Sequence, residues 1–346
     1  MRRALGLALV LGAFVALLVF GYQQQQRQLN VHVLEGWTMG STWRVSVAGP
    51  RKLELVALKA AIETELGELD RQLSGYRDTA ELAQLNRSPI GVWRALPPHL
   101  GAVLRFGEQL NKDTGGAFDL SVKPLVNLWG FGVAEPRTTL PTEVEIAAAR
   151  ARLGSAMIEL SADGKRVRRR TDVTIDVDAI APGYAADIVS ELLRKRGLPD
   201  HLVDIGGELK AAGHRPDGGN WRIGVEEPEL RRGKVARIIN LTNIGVATSG
   251  DYRDYVEIGG RRYSHTIDPT TGWPVAHDLA SVTVLAPTAL AADGYATTLM
   301  VLGPKAGMAW ADARGLAVFM LIRNARGEFF ERYNAAFAPN LVTSAH

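Results

Sequence analysis

The spacing of hydrophobic and polar positions predicts that helices and strands are mixed along this chain. Apolar residues recur at helical spacing over residues 53–73, 98–112 and 141–153, which predicts three helices. Alternating positions predict a strand in "TMGSTWRVSVAG", and Asp163-Gly164 between two strand-like runs predicts a hairpin. The run "NKDTGGAFDLSVKPLVNLWGFG" has no steady period, so it is predicted to be a structured loop region.

The second half of the chain continues this mixture. Residues 173–207 have the pattern of a strand, a turn, a helix and a strand, and the segments from "WRIGVEEP" to "YVEIGGRRYSHTID" are typical of consecutive antiparallel strands. The last part predicts a strand in "SVTVLA", a helix over residues 289–301, a short helix, and a hairpin in "LAVFMLIRNARGEFFERY". We therefore expect an α+β fold, with a single large domain over residues 36–340 that contains mixed, mostly antiparallel sheets and flanking helices.

The N-terminal residues have the pattern of a membrane anchor. Arg2 and Arg3 precede an uncharged, mostly apolar run over residues 4–22, which is followed by the polar stretch "QQQQRQ". About 19 residues at roughly 1.5 Å per residue come close to spanning a bilayer core of roughly 30 Å, and the positive end is expected in the cytoplasm. We expect residues 1–22 to be an anchor helix and residues 23–35 a polar linker, with a cleaved signal peptide as the alternative. In either case the domain would be exported, best to a bacterial periplasm, and an uncleaved helix would tether it to the inner membrane.

Composition excludes several kinds of chemistry. The 346 residues include no cysteine, which excludes thiol catalysis, disulfides, thiolate metal sites and a lipidated cysteine. The formal net charge is only +3, and acidic and apolar sequence separates the short arginine clusters, so nucleic-acid binding is not predicted. We interpret these clusters, at residues 166–170, 231–232 and 261–262, as solvated surface, with contact between one pair and an anionic ligand as the alternative.

Short clusters of glycine and polar residues carry the candidate chemistry. The chain has no GxSxG elbow, Walker A lysine, HExxH or CxxC motif. Instead, seven clusters each lie at the end of a predicted strand: "TMGSTW", "GGAFDLSVKPL", "DVDAIAPGYAAD", "DIGGE", "GVATSGDYRDY", "HTIDPTTGWP" and "ADGYATT". One such cluster is most simply a turn. Seven together indicate a ligand site, because glycine permits close backbone approach and binding sites gather at strand ends.

Together these clusters resemble the ApbE family of FAD:protein FMN transferases, from about Gly36 to Gly303. The most specific matches are "HTIDPTTGWP", "ATSGDY", "VDIGGE" and "SVTVLAPTALAADGYATTLMVLG". The resemblance implies a Mg²⁺-dependent transfer of FMN from FAD to a threonine or serine hydroxyl of a partner protein, with release of AMP. It also implies that the partners are exported domains of membrane redox proteins that carry a flavinylation threonine.

The "ADGYATT" cluster contains the candidate metal ligands. Asp293 and Thr297 are four residues apart at the start of a predicted helix, so their oxygens project to one side and can share a cation that prefers oxygen ligands. The resemblance implies that these two side chains and the backbone carbonyl of Ala181 are the metal ligands. The alternative is that Asp293 is only an acidic residue near a helix N-terminus, where the helix dipole favours it.

The "HTIDPTTGWP" cluster contains the candidate catalytic residue. His265 lies inside this family motif, and an imidazole, which ordinarily exchanges its proton near neutral pH, is suited to accept the hydroxyl proton of the incoming threonine. Asp268-Pro269 with Thr271-Gly272 would form the tight turn that fixes it. The alternative is that His265 only forms a hydrogen bond to the backbone.

The resemblance also assigns contacts to FAD along the chain. We expect an apolar slot with a few polar anchors for the flavin, and turns that line the phosphates. The residues at the matching positions are Met39, Tyr76, Ala117, Phe118, Asp119 and Asp178. We expect Gly206, Gly207, Thr248 and Ser249 to line the phosphate region, and Ile267 to be a further contact. Tyr76 and Phe118 could instead be aromatic residues of the core, because spacing alone does not distinguish the two roles.

One position departs from the family. The family commonly has a lysine between the alanine and glycine of "IAKG", and this chain has Pro182 in "IAPG". Proline suits the first turn of a helix, so the Ala181 carbonyl can still be presented, but a cation near the diphosphate is lost. Two other functions stay open at this stage: a Mg²⁺-dependent FAD pyrophosphatase that gives FMN and AMP, and a non-catalytic exported FAD carrier.

Overall fold

The computed structural model describes residues 29–132, 137–228, 234–251 and 255–342 of the chain. The helices of this part are α1 (Leu55–Leu73), α2 (Glu81–Arg87), α3 (Pro98–Asp113), α4 (Lys123–Leu128), α5 (Glu143–Arg150), α6 (Ala181–Lys195) and α7 (Ala289–Asp312). The strands are β1 (Leu29–Thr38), β2 (Ser41–Pro50), β3 (Arg94–Ala95), β4 (Ile158–Leu160), β5 (Arg166–Arg169), β6 (His201–Ile205), β7 (Glu208–Ala212), β8 (Trp221–Glu226), β9 (Val235–Leu241), β10 (Ile244–Gly250), β11 (Tyr255–Ile258), β12 (Arg261–Ser264), β13 (Leu279–Ala286), β14 (Ala317–Arg323) and β15 (Phe329–Tyr333).

Eight strands form one sheet in the order β1-β2-β6-β7-β10-β13-β14-β15, and every neighbouring pair is antiparallel. Three smaller antiparallel groups, β3-β5-β4, β8-β9 and β11-β12, lie outside this sheet. Several of the pairs are hairpins, which only antiparallel strands can form. The predicted α+β fold, with mostly antiparallel sheets and flanking helices, is therefore confirmed.

Helices α6 and α7 pack on one face of the large sheet. All eight residues of the central strand β13 are buried, because α7 covers one face and a cluster with Trp221, Phe319 and Phe337 covers the other. Burial on both faces explains why "SVTVLA" contains no charged residue. A larger cluster from α1, α3, α6 and β2 forms the rest of the core.

The predicted long helices are present with small changes at their ends. Helices α1 and α3 have nearly the predicted bounds. Helix α5 begins at Glu143, after a capping box formed by Thr142 and Glu145. Helix α7 is interrupted at Gly303, where φ is 76°, so the predicted helix over residues 289–301 followed by a short helix is confirmed.

Strand β1 corrects the predicted linker at its C-terminal end. Residues 29–35, assigned from the sequence to the linker over 23–35, belong to β1, which pairs with β2 along its whole length. As an edge strand, β1 has many exposed positions, and such a strand resembles a polar linker in sequence.

The segment 173–177 corrects the predicted strand that precedes α6. Val173, Ile175 and Val177 are buried in alternation, as in a strand. However, the backbone N–H and C=O of Ile175 bond to the side-chain amide of Asn86, at 2.8 Å each. The alternation therefore reports an extended and half-buried segment whose partner is a side chain rather than a strand.

Helices α2 and α4 were not predicted, and α4 lies within the segment predicted to be a loop. They have seven and six residues, which is too short for a helical period to be recognised.

None of the helices in the described ranges is long and apolar enough to span a bilayer. The predicted anchor over residues 1–22 lies outside the described residues.

Candidate functional site

A cavity of about 800 Å³ opens between the β1–β2 hairpin, helix α1 and the start of α6. This volume is within the range of sites that hold drug-sized ligands and cofactors. We call it the hairpin cavity. Four residues predicted to be functional, Met39, Tyr76, Asp178 and Ala181, line it together, so the structure gathers residues that are far apart in sequence.

The hairpin at the edge of this cavity has a strained turn at Met39. Met39 and Gly40 connect β1 to β2 with φ of 47° and 72°, so both turn residues are in the left-handed region. This conformation costs methionine about 1 kcal/mol, and asparagine followed by glycine is the usual choice. A costly backbone conformation at a cavity indicates a functional side chain, which agrees with the predicted contact between Met39 and FAD.

Tyr76 presents its ring to the hairpin cavity. It is 58% exposed, and its hydroxyl donates a hydrogen bond of 2.7 Å to Asp178 Oδ2. The ammonium of Lys123 lies 4.7 Å from the centroid of the Tyr76 ring and donates to the Tyr76 hydroxyl at 3.0 Å. Tyr76 is therefore not a core aromatic, and one side of its ring is held in place by Lys123.

The charges around Tyr76 form a compact network. Lys123 Nζ lies 2.8 Å from Asp176 Oδ2 and 3.6 Å from Asp178 Oδ2. Partial burial and the neighbouring charge of Asp176 raise the pKa of Asp178. Burial opposes the charge of Lys123, but the bonds with Asp176 and Tyr76 outweigh it and raise the pKa of Lys123. Lys123 is therefore held as a cation at the edge of the cavity.

Helices α6 and α7 meet at a junction that requires glycine. A Cβ at Gly183 would lie 2.5 Å from the backbone oxygen of Ala289 and 2.8 Å from Asp293 Cβ. This close approach lets the N–H of Gly183 donate to Asp293 Oδ2 at 3.1 Å. The helix junction therefore brings the first turn of α6, which contains Ala181, against Asp293, and Thr297 follows Asp293 by about one turn of α7.

The start of α7 is held in two further ways. The carboxylate of Asp187 accepts hydrogen bonds of 2.9 Å from the backbone N–H groups of Ala289 and Leu290, which satisfies donors that a helix N-terminus leaves free. Strand β10 approaches so closely that a Cβ at Gly245 would lie 2.3 Å from the backbone nitrogen of Ala289. The position of Asp293 is therefore set by backbone contacts among three regular elements.

Acidic side chains are buried at the helix junction. Asp293 is 6% exposed, and burial, together with the negative charge of Glu208, raises the pKa of Asp293 well above its ordinary range. Burial also raises the pKa of Glu208 to about 7, with the charge of Asp204 adding to the effect. Carboxylates in such a place are stable when protonated or when a cation neutralises them. The junction is therefore suited to a divalent cation with oxygen ligands.

The predicted metal ligands fit such a cation by their chemistry. They offer a carboxylate from Asp293, a hydroxyl from the half-buried Thr297 and the carbonyl of Ala181. In the part of the chain that the structure describes, no group of three or more His, Cys, Asp or Glu has an arrangement suited to metal binding. The predicted set does not require one, because it contains a single acidic side chain.

The predicted phosphate-region residues lie on strand ends. Gly206 and Gly207 form the turn between β6 and β7, and the N–H of Gly206 donates to a backbone oxygen of β2 at 3.0 Å. This turn therefore lies beside the strand that leads to the hairpin cavity. Thr248 and Ser249 lie on β10, and the hydroxyl of Thr248 forms a 2.8 Å hydrogen bond with that of Thr283.

The remaining predicted residues lie in a second region, which we call the loop cluster, formed by residues 115–131 and 265–275. The indole N–H of Trp129 donates to the backbone oxygen of Gly272 at 2.9 Å. The ring of His265, directly after β12, lies edge to face with the ring of Phe131, at 6.3 Å between centroids. The two loops are therefore joined by aromatic contacts around His265.

The turn after His265 forms as predicted. Asp268 Oδ1 accepts hydrogen bonds from the backbone N–H and the hydroxyl of Thr270, at 2.8 and 2.7 Å. The N–H of Gly272 donates to the backbone oxygen of Asp268 at 2.8 Å. Side-chain and backbone bonds together fix the loop that carries His265.

Four predicted FAD contacts have side chains that face the protein interior. Phe118 is 3% exposed, Ile267 5% and Ala117 6%. The Asp119 carboxylate accepts a hydrogen bond from the Ser155 hydroxyl at 2.6 Å. The structure therefore assigns Phe118 to the core, which was the alternative to a cavity role. Any contact of Ala117, Phe118 or Ile267 with FAD would be made through the backbone, whereas Asp119 is only half-buried.

Two residues of the site were not singled out from the sequence. Glu208 ends the "DIGGE" cluster and Lys123 lies inside "GGAFDLSVKPL". A glutamate at the start of a strand and a lysine in a loop are common on protein surfaces, so only their partners, which are distant in sequence, reveal a role.

Comparisons with known proteins cover most of the chain. The sequence model of the ApbE family matches residues 39–320. A relative from Klebsiella pneumoniae named FAD:protein FMN transferase is 39% identical over 302 residues, which are 85% of this chain and 85% of the relative. A relative of the same name from Vibrio cholerae is 37% identical over 327 residues, or 94% and 96% of the two chains.

Solved structures share the fold. The crystal structure of the Pseudomonas stutzeri flavinyl transferase ApbE in its apo form is similar with a TM-score of 0.82 and 40% identity, covering 90% of this chain and 97% of that one. The flavin transferase ApbE from Vibrio cholerae has a TM-score of 0.82 and 36% identity, covering 90% of this chain and 100% of that one. The hairpin cavity from Met39 onward, the helix junction and the loop cluster all lie within the matched residues 39–320.

Proposed function

Because the chain belongs to the ApbE family and is an FAD:protein FMN transferase, we propose that it uses Mg²⁺ and that the acceptor is a threonine or serine hydroxyl of its protein partner. The acceptor oxygen forms a bond to the phosphorus of the FMN half of FAD. The bond from that phosphorus to the bridging oxygen breaks, and its electron pair leaves with AMP. The hydroxyl proton passes to a base, and the partner carries FMN as a phosphoester.

The observation that carries this proposal is that a cofactor-sized cavity and a buried acid meet at one helix N-terminus. The first turn of α6 lines the hairpin cavity through Ala181 and Pro182 and donates a hydrogen bond from Gly183 to Asp293. A helix N-terminus favours phosphate through its free N–H groups and its dipole. These contacts support binding of the FAD diphosphate beside Ala181.

The aromatic surface of the hairpin cavity suits the rings of FAD. Trp37 and Tyr76 are 70% and 58% exposed and line the cavity, so both offer faces for stacking. Met39 adds an adaptable apolar contact. Lys123 holds the Tyr76 ring before a ligand arrives, which lowers the entropy lost on binding.

Three residues of the helix junction would hold Mg²⁺: Asp293 through its carboxylate, Thr297 through its hydroxyl and Ala181 through its carbonyl. When bound, the ion would neutralise negative charge on the diphosphate. The N–H of Gly183 stabilises the ionised form of Asp293. Pro182 is compatible with this role, because the first turn of a helix has no partner for the missing N–H.

His265 would accept the hydroxyl proton of the acceptor. The Asp268 turn and the bond from Trp129 to Gly272 fix its loop, and a fixed base loses less entropy when the reacting groups meet. If His265 is the base, His265→Ala lowers the rate of transfer and changes its dependence on pH. Unchanged transfer across pH in this variant would refute the role.

We also propose that residues 1–22 anchor the protein in the inner membrane and that the domain acts in the periplasm, on exported domains of membrane redox proteins. The support is Arg2 and Arg3 before the apolar run over residues 4–22. Because the chain has no cysteine, a Gln24→Cys variant would carry a single thiol just after the anchor. A membrane-impermeant maleimide should label it in intact spheroplasts, and labelling only after lysis would contradict this orientation.

Intact-mass measurement of an acceptor domain with a flavinylation threonine tests the reaction. With the wild-type protein, FAD and Mg²⁺, the acceptor should gain the mass of one FMN phosphoester. A chelator or the Asp293→Ala substitution should prevent this gain. Full activity in Asp293→Ala would contradict the metal assignment while leaving the transferase reaction in place.

The same mixture without an acceptor separates the two alternative functions. A transferase should release little FMN and AMP when no hydroxyl other than water is available. Hydrolysis as fast as transfer would instead indicate a pyrophosphatase. Tight binding of FAD without any product, whatever the divalent cation, would indicate a carrier.

A further inference from the structure

A second concavity, of about 670 Å³, lies beside the loop cluster. Strands β11 and β12, residues 273–277 and the facing ends of β14 and β15 contribute to its walls. We call it the arginine groove, because Arg261, Arg262 and Arg323 line it. No described residue lines both this groove and the hairpin cavity, so we treat the groove as a separate site.

The charge of the arginine groove is mostly positive. Among the described residues, its lining includes three guanidinium groups and a single carboxylate, that of Asp251. Asp251 Oδ1 forms an ion pair with Arg323, at 3.5 Å from Nη2, although this buried oxygen has no hydrogen-bond partner. Among the described residues, neither Arg261 nor Arg262 forms an ion pair with an acidic side chain. The groove therefore has an excess of positive charge that a negatively charged ligand could match.

Aromatic rings hold the guanidinium groups in place. The distance from guanidinium carbon to ring centroid is 4.3 Å for Arg262 over Tyr255, 5.5 Å for Arg261 over Tyr263 and 5.5 Å for Arg323 over Phe329. Stacking of this kind leaves the N–H edges of a guanidinium available for paired bonds to a carboxylate. The arginines are thus ordered before a ligand binds.

His277 adds a buried polar atom to the lining of the groove. Its Nε2 lies 2.8 Å from the backbone oxygen of Met300, so Nε2 carries the hydrogen that donates to this carbonyl. Its Nδ1 is buried and has no hydrogen-bond partner. In the neutral ring this atom is an acceptor, and buried polar atoms are usually satisfied. Because Nδ1 is enclosed by the lining of the groove, a bound ligand does not contact it directly.

The arginine groove is continuous with the loop that carries His265. Ser264 lines the groove and directly precedes His265. Val275, at the C-terminal end of this loop, also lines the groove. Its N–H donates to the backbone oxygen of Thr266, directly after His265, at 3.0 Å. A few residues of extended peptide, at roughly 3.3 Å per residue, would lead from the groove to the imidazole.

We propose that the arginine groove binds an acidic segment of the acceptor protein, close in sequence to the hydroxyl that receives FMN. This proposal rests on the transferase function and names what its partner must offer. Carboxylates of the segment pair with Arg261 and Arg262. The groove thereby selects the partner, while the hairpin cavity selects FAD.

Short fluorescein-labelled peptides test this proposal with the full-length protein. One peptide carries aspartates on both sides of a single threonine, and its control carries asparagines at the same positions. Fluorescence anisotropy at low salt gives the dissociation constant of each. The proteins compared are the wild type, Arg261→Gln/Arg262→Gln, Arg261→Glu/Arg262→Glu and the control Arg51→Glu, which exchanges an exposed arginine outside the groove.

The wild type should bind the aspartate peptide about tenfold more tightly than the asparagine peptide, since two exposed ion pairs contribute a few-fold each. The glutamine variant should lose most of this preference and the glutamate variant all of it, while Arg51→Glu keeps it. Equal affinity of both peptides for the wild type, or an unchanged preference in the glutamate variant, would overturn the proposal. Displacement of the aspartate peptide by an equal concentration of AMP would also overturn it, because the groove would then be a nucleotide site.

FAD binding and FMN transfer, measured on the same proteins, keep the two proposals apart. FAD affinity should be the same in all four proteins, which also shows that the variants are folded. A preference for the aspartate peptide without FMN transfer to any threonine would contradict the proposed function but not the groove. FMN transfer to both peptides, together with equal affinity for both, would contradict the groove but not the proposed function.

Discussion

The helix junction and the loop cluster are built in different ways. At the helix junction, regular elements approach so closely that a single methyl group at Gly183 would lie 2.5 Å from a backbone oxygen. In the loop cluster, side chains fix the chain, as the indole of Trp129 does for Gly272 and the carboxylate of Asp268 does for its own turn. Backbone cannot move aside, whereas side chains can. A substitution at the junction should therefore cause a large loss of stability, and a substitution in the loop cluster a smaller one.

Gly183→Ala breaks the junction and should have the largest effect. The new methyl group meets the backbone oxygen of Ala289, so we expect the free energy of unfolding to fall by about 3 kcal/mol. If Mg²⁺ binds at Asp293 as proposed, the stabilisation by the ion should also be lost, because Asp293 is displaced.

Gly67→Ala is the matched control, since nothing lies within 4 Å of its Cβ on the exposed side of α1. It should leave the free energy of unfolding unchanged or raise it by up to about 1 kcal/mol. Urea denaturation measures both variants. Equal free energies of unfolding for Gly183→Ala and Gly67→Ala would show that the junction is not tight.

The buried acids should make the cation-free junction sensitive to pH. Burial raises the pKa of Glu208 from 4.5 to about 7 in the folded protein. The folded state therefore favours the protonated form, so this stability is complete below pH 4.5 and is lost as pH rises through about 7. For Glu208 alone the loss is on the order of 2–3 kcal/mol.

Unfolding with a chelator or with Mg²⁺ checks this pH dependence. At roughly pH 8 the cation should restore most of the lost stability, and at roughly pH 5 it should add little, because protons then compete for the same oxygens. A chelated protein that is equally stable at both pH values would count against buried acids at this place.

Gly272→Ala adds a methyl group to the loop cluster, as Gly183→Ala does to the junction, so the free energies of unfolding of the two variants can be compared. Its φ is 80°, and its Cβ would lie 2.6 Å from Ile146 Cγ2 and 2.8 Å from Arg150 Cδ. These neighbours are side chains that can shift, so the free energy of unfolding should fall by only about 1–2 kcal/mol, mostly from the left-handed backbone. FMN transfer should slow by more than FAD affinity falls, because the loop carries the proposed base His265 as well as the predicted FAD contact Ile267. An equal loss of transfer and of FAD affinity would mean that the loop acts through FAD binding alone.

Met39→Asn should have the smallest effect on stability and the opposite sign. Asparagine favours the left-handed turn that Met39 adopts with φ of 47°, so the free energy of unfolding should rise by about 0.5–1 kcal/mol. Loss of the apolar contact should weaken FAD binding several-fold at the same time, which flavin fluorescence can measure. Greater stability with unchanged FAD affinity would show that the strain at Met39 does not serve the cavity.

The sequence predicted the fold better than the details of the site. Helices α1 and α3 follow from local periodicity, and their predicted bounds agree closely with the structure. Helix α6 and the antiparallel strands lie within the segments where their patterns were recognised. Strand β1 was assigned to a linker because an edge strand exposes many of its positions. The segment 173–177 was assigned to a strand because burial alternates along it, although its partner is the amide of Asn86.

The candidate site contains residues that the sequence identified and others that only the structure revealed. Met39, Asp178 and Ala181 lie in the recognised motifs and Tyr76 was assigned through the family resemblance, and the structure brings all four into one cavity. From the sequence alone, Tyr76 and Phe118 could each be a cavity residue or a core aromatic. The packing in the structure places Tyr76 in the cavity and Phe118 in the core. The role of a charged residue depends on its distant partners. For Glu208 the partner is Asp293, across the helix junction.

Binding of Mn²⁺ in place of Mg²⁺ tests most directly whether Asp293 holds a divalent cation beside bound FAD. Electron paramagnetic resonance can titrate Mn²⁺ into the FAD-loaded wild type and into Asp293→Asn, which keeps the size of the side chain and removes its charge. We predict one tight site in the wild type and binding about a hundredfold weaker in Asp293→Asn, with FAD still bound. Equal Mn²⁺ affinity in the two proteins would contradict the central role of the helix junction.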